Sequence, residues 1–97
     1  MAMQSQKPVF FHFSTSARDD GTLEAAYIRV GEGKVAKTVA VREDILLADY
    51  DRRGKLIGIE ILAPVRFADL ASLVEKPKRK PLRRFVSNSA SPQLVTA

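Results

Sequence analysis

The chain has 97 residues, 45% of them hydrophobic, with no cysteine and a net charge of +5. That length holds one domain with a modest core, and the lack of cysteine excludes a disulfide framework and a thiolate metal site, as suits the cytoplasm. Met1 to Pro8 is too polar for a signal-peptide core, and the apolar runs are far too short to span a membrane.

In chain order, the pattern predicts a β-meander. Val9, Phe11 and Phe13 alternate with Phe10, His12 and Ser14, giving a first strand after Pro8. Asp20-Gly21 marks a turn within the polar connection Ser14 to Thr22. A second strand covers Glu24 to Val30, with Ala26, Ile28 and Val30 on one side and Tyr27 and Arg29 on the other. Gly31-Glu32-Gly33-Lys34 leads into a third strand, Val35 to Arg42, and Glu43-Asp44 turns the chain again.

Strands four and five form a hairpin around Asp51-Arg52-Arg53-Gly54. This loop suits a type I turn with Gly54 in the left-handed position of a bulge, where a Cβ is penalised. Such a turn pairs Asp51 with Lys55, Asp49 with Ile57, Leu47 with Ile59 and Ile45 with Ile61. A two-residue loop would instead set Leu47 against Gly58 and Ile45 against Glu60, so the bulged turn is preferred. One face then gathers Ile45, Leu47, Ile57, Ile59 and Ile61. The other carries Leu46, Ala48, Tyr50, Leu56, Gly58, Glu60 and Leu62, and is too apolar to be left wet.

Pro64 ends the sheet, and Phe67, Leu70, Ala71 and Val74 follow at the spacing of one helical stripe, ending near Pro77. The expected fold is α+β: an antiparallel meander of about five strands with one short C-terminal helix on a face. Residues 1–75 form that domain and residues 76–97 a basic, flexible arm. One helix covers one face, so Leu46, Tyr50, Leu56 and Leu62 are expected to form the buried face of a homodimer.

The charge is unevenly placed. Residues 76–97 carry six basic residues and no acid, a balance of +6. Residues 1–75 carry the other ten basic residues and all eleven acids, a balance of −1, which together give +5. Lys76, Lys78, Arg79, Lys80, Arg83 and Arg84 are therefore the candidate polyanion-binding residues, able to neutralise nucleic-acid phosphates. Phe85 is the only aromatic residue among them, which gives base stacking little support. A solvated tail is the plainer alternative.

Other constellations are weaker. Asp49-x-Asp51-x-Arg53-Gly54 with Glu60 imitates a calcium loop, but Arg53 puts a cation at a ligand position and the flanks are strands. In the expected register Glu60 also lies on the face opposite Asp49 and Asp51. His12 has no orienting acid, and Gly31-x-Gly33 leads into a strand, so it is no phosphate cradle. Glu60 among apolar residues is expected to pair with Arg29 or Arg42. These residues predict no catalytic site, no metal and no cofactor.

Ala26-Tyr27-Ile28-Arg29-Val30, Gly33-Lys34-Val35-Ala36-Lys37-Thr38-Val39, Asp49-Tyr50-Asp51 and Gly54-Lys55-Leu56-Ile57-Gly58-Ile59-Glu60-Ile61-Leu62 together resemble domain-of-unknown-function family 2283, a family of small prokaryotic proteins. The likeness covers roughly residues 24–62. Glu24 stands where the family usually has an Asp, and the connection from Ser14 to Leu23 differs. The resemblance implies a β-meander with a helix, no established catalytic residues and, in some members, an antitoxin-like place beside a small toxin. The function expected is a non-enzymatic protein-interaction module with such a partner. The alternative is a nucleic-acid-binding accessory protein acting through the basic arm, and an enzyme comes third.

Overall fold

Five antiparallel strands and two helices dominate the structure, a computed structural model that describes residues 10–89 and 94–96. The elements are β1 (His12–Ala17), β2 (Leu23–Arg29), β3 (Lys37–Arg42), β4 (Leu46–Tyr50), β5 (Leu56–Ile61), β6 (Val65–Arg66), α1 (Phe67–Ala71), α2 (Lys76–Ser89) and β7 (Val95–Thr96). Val9, expected in the first strand, and residues 90–93 and 97 of the expected arm lie outside the described residues. The α+β class with a five-stranded antiparallel sheet is as expected, in the order β1-β2-β5-β4-β3. After β2 the chain therefore crosses to the far edge, and β5 returns to pair with β2.

The β4–β5 turn forms as the sequence predicts. Gly54 sits at φ +85°, its N–H donates to Asp51 O, and Asp51 N–H donates to Lys55 O at 2.9 Å. Beyond the turn the pairing departs from the expected register. Tyr50 opposes Leu56, but Asp49 opposes Gly58, Ala48 opposes Ile59 and Leu47 opposes Glu60, so Ile57 is an extra, bulged residue. The end of β2 holds the bulge: the Ile57 carbonyl accepts from Val30 N–H at 2.8 Å and Gly31 N–H at 3.0 Å. A one-residue slip exchanges the faces of a strand. Leu46 and Ala48, rather than Ile45 and Leu47, thus join Ile59 and Ile61 on the buried face, all four 1% exposed or less.

That face is the core. Ala26 and Ile28 of β2, with Val30 just past it, align beside Ile59 and Ile61, and Phe67 and Leu70 of α1, Val74 and α2 cover them. Asp69 fastens the start of α1 by accepting from Arg66 N–H at 3.1 Å, and it faces Arg42 at 3.8 Å. The exposed ion pair adds little, on the order of 0–1 kcal/mol.

The largest correction concerns residues 76–97. The expected flexible arm contains a 14-residue helix, α2, whose Leu82 is fully buried and whose Val86 is nearly so. Phe85 packs on Phe11 with ring centroids 5.3 Å apart. Beyond α2, Leu94 and Val95 are buried too, and β7 lies parallel to β6 with Val95 opposite Val65. Residues 76–89 and 94–96 are thus part of the domain, not an appendage to it.

Candidate nucleic-acid interface

The sequence of α2 sorts its residues into two faces. Leu82, Phe85 and Val86 recur at i, i+3 and i+4 and turn inward, so the cations between them are pushed toward solvent. Lys76, Lys80, Arg83 and Arg84 are exposed, and no acid lies in the helix. Lys76, Lys80 and Arg84 follow one another at i+4, an advance of roughly 6 Å per step along the axis. The six basic residues singled out by composition divide in their roles. Arg79 is half-buried and donates from Nε to Val74 O at 3.2 Å, tying α2 to the end of the preceding segment. The Arg83 guanidinium lies 5.2 Å from the centre of the Phe67 ring, a cation–π contact that holds it on the α1 side. Lys78 leans toward the sheet, into a cleft.

That cleft, about 540 Å³, is lined by Phe10, His12, Arg29, Lys55 and Lys78, together with Val30, Gly31 and Glu32. His12 and Arg29 are opposite one another in the β1–β2 pair, Lys55 comes from the β4–β5 turn and Lys78 from α2. Arg29 is steadied by donating to Gly33 O at 2.5 Å. The backbone at Gly31 presses against β5, where a Cβ would stand 2.7 Å from Leu56 O. The sequence pattern gives His12 no orienting acid and sets Arg29 or Arg42 beside Glu60. It holds no signal that the bulge and α2 would bring His12 and Arg29 to Lys55 and Lys78.

The sheet face away from the helices holds a polar network. The Tyr27 hydroxyl donates to Asp49 Oδ2 at 2.9 Å, and the Thr38 hydroxyl donates to Asp49 Oδ1 at 2.6 Å, linking β2, β4 and β3. Burial, followed by this hydrogen bond and the Asp49 charge, pushes the Tyr27 hydroxyl up to about 12. It is therefore a firm donor at neutral pH and a poor proton shuttle. Glu60 lies directly opposite Tyr27, and the slipped register puts it on the same face as Asp49, contrary to expectation. Asp51 is committed to its turn. The N–H groups of Lys55 and Arg53, which donate to its carboxylate at 2.9 and 2.8 Å, hold that carboxyl below the usual range. Among the described residues no three acidic or histidine side chains converge as metal ligands would. The partners expected for Glu60 are engaged elsewhere, Arg29 with Gly33 and Arg42 with Asp69.

The four residues expected to make a dimer face do not share an exposed surface. Leu46 is in the core, while Tyr50 and Leu56 line a second small cleft beneath Leu73 and Val74. Leu62 is half-buried past the end of β5. The premise for a second copy on that face, a set of apolar residues left uncovered, fails because the Ile57 bulge turns Leu46 and Ala48 under the helices.

Residues 20–63 match the family model described as "Protein of unknown function (DUF2283)", a segment running from the β1–β2 turn to just past β5. No curated protein and no solved structure matches the chain. Helix α2 and the Lys78 wall of the cleft lie outside the matched segment. No helix among the described residues is long and apolar enough to cross a membrane.

Proposed function

We propose that this chain, whose residues 20–63 match the DUF2283 family model, is a non-enzymatic nucleic-acid-binding module of the cytoplasm that docks on phosphates through α2. The observation that carries this reading is the exposed stripe of Lys76, Lys80, Arg83 and Arg84 on a packed helix without an acid. On a flexible tail those charges would lose conformational freedom on binding. On a helix anchored by Leu82 and Val86 most of that ordering is already done, so more of the electrostatic gain appears as affinity. The network at Tyr27 supports a binding rather than a catalytic role, since its hydroxyl is committed to Asp49.

The test is fluorescence anisotropy of a labelled DNA duplex titrated with full-length protein over a salt series. Four phosphate contacts predict a slope of log affinity against log salt of about −3.5. Lys80→Glu with Arg84→Glu should weaken binding at every salt concentration. Failure to bind at roughly 50 mM salt, or a slope near zero, would overturn the reading.

A second reading, an antitoxin-like module holding a small protein, is favoured by β3. This strand is a sheet edge, and Val35, Val39 and Val41 on and beside it are 44%, 38% and 41% exposed. Such an edge can accept an added strand. Co-purification with the product of an adjacent gene, lost on Val39→Lys, is the result this reading requires.

A further inference from the structure

We propose that the cleft between β1–β2, the β4–β5 turn and α2 holds one unstacked nucleotide of a single-stranded nucleic acid, with Phe10 under the base and Arg29, Lys55 and Lys78 around its phosphate. The proposal rests on the reading of α2 as a phosphate-docking helix and extends it to the kind of strand that is bound.

Size, charge and an aromatic surface argue for it together. At about 540 Å³ the cleft is within the range of small-ligand sites, large enough for a base and its sugar phosphate. Three cationic side chains, Arg29, Lys55 and Lys78, line it against one acid, Glu32, so an anion is favoured. Phe10 is 67% exposed on its wall, leaving an aromatic ring available to a flat apolar partner. Cations along a backbone path with an exposed ring for a base are the recurring elements of single-strand binding. Phe85, the aromatic residue among the C-terminal cations, is occupied by Phe11.

The cleft and the proposed interface share helix α2. Lys78 lies two residues from both Lys76 and Lys80 on α2, about 3 Å along the axis but on the other side of the helix, and lines the cleft itself. A strand whose phosphates meet the outer stripe must therefore pass round α2 to reach the cleft, as a flexible single strand can. In a duplex the base would have to leave its stack first, so a duplex can use the stripe but not the cleft. The wall is firm where ligand would press on it. Val30 and Gly31 N–H both donate to Ile57 O, and the bond to Gly33 O leaves Arg29 with further N–H donors.

The experiment compares a labelled oligothymidylate single strand with a duplex of equal length, by anisotropy at low salt on the full chain. Phe10→Ala should weaken single-strand binding about tenfold and leave duplex binding unchanged. Lys55→Glu should weaken single-strand binding more than duplex binding, and Lys80→Glu with Arg84→Glu should weaken both. Circular dichroism confirms that each variant is folded; Phe10 and Lys55 are exposed, so both variants should be. If Phe10→Ala and Lys55→Glu leave single-strand affinity unchanged while the α2 substitutions lower it, the cleft proposal falls and the α2 reading stands. If wild type binds neither probe, both fall. If thymidine monophosphate binds with a dependence on Phe10 but the oligonucleotide shows none, the cleft takes free nucleotides and the strand proposal is overturned.

Discussion

The ring of Tyr27 lies across Gly58, so that a Cβ added to Gly58 would fall on the ring itself. Gly58 is buried beneath it in the centre of the sheet, between Arg29 of β2 and Asp49 of β4. A glycine weakens a strand interior, and an aromatic ring from the neighbouring strand covers the gap it leaves. The arrangement also brings the Tyr27 hydroxyl within 2.9 Å of Asp49. Gly58→Ala should therefore displace the ring, break that hydrogen bond and destabilise the domain by about 1–2 kcal/mol. In a Tyr27→Ala background the same substitution should cost clearly less. A double-mutant cycle by chemical denaturation measures that coupling, and additive effects would show that ring and glycine are independent.

The alkaline limb of stability should carry the mark of Tyr27. Its hydroxyl is raised to about 12 in the folded chain from an ordinary value of 10.0, so the folded state holds this proton more tightly than the unfolded state. The stabilisation is complete below pH 10 and is lost as the pH rises through about 12. Spectrophotometric titration of phenolate absorbance should show a step near pH 12 that is absent in Tyr27→Phe. Persistence of that step in the variant would assign it to another group.

Helix and strand types were legible where pattern and turn chemistry agreed. Gly54 announced its turn, the alternation at Ala26, Ile28 and Val30 announced a buried strand face, and the spacing of Phe67 and Leu70 announced a helix under the sheet. That helix ends at Ala71, leaves Val74 outside it, and is followed by a second one from Lys76 rather than by a stop near Pro77. The slip of β4 was not legible, because its cause is tertiary: the Ile57 carbonyl is drawn to Val30 and Gly31, remote in sequence. Helix α2 was hidden by its prolines. Pro77 lies in the first turn, where its missing N–H has no helical partner, so only Pro81 costs a bond, about 3 kcal/mol. Burial of Leu82 and Val86 with partial burial of Phe85 returns more than that, at about 1.5–3 kcal/mol for each fully buried side chain. The cleft followed α2 into obscurity, since Lys78 becomes its neighbour only when the helix packs.

Gly54 offers a test of the turn apart from packing. Its φ of +85° is strained for any side chain, yet a Cβ there would meet no atom within 4 Å. Gly54→Val should cost about 1 kcal/mol or more through backbone conformation alone, seen as a lower melting temperature. Asp51 should add an acid-dependent component. Its carboxyl is lowered by the Lys55 and Arg53 N–H groups, so its contribution is present above the unfolded value near 3.8 and lost as the pH falls through the folded one. Asp51→Ala should therefore flatten the acid limb of a stability profile, and an unchanged limb would locate the acid sensitivity elsewhere.

The last prediction separates a structural C-terminal segment from a dispensable arm. Ending the chain at Glu75 removes Leu82 at 0% exposure and Val86 at 6% from over the sheet, and with Leu94 and Val95 it removes the strand that pairs β6. The sheet face at Ile28, Ile59 and Ile61 would lose most of its cover, because α1 is only five residues long. The truncated protein should lack a cooperative thermal transition or aggregate. A milder variant guards against misreading aggregation: Leu82→Ala in the full chain should remain folded yet lose about 2–4 kcal/mol, since a large buried side chain leaves a cavity. Charge reversal at Lys80, exposed on the opposite side of the same helix, should leave the melting temperature within a degree or two. A cooperative transition in the truncated chain, with Leu82→Ala as stable as wild type, would return residues 76–97 to the status of an appendage.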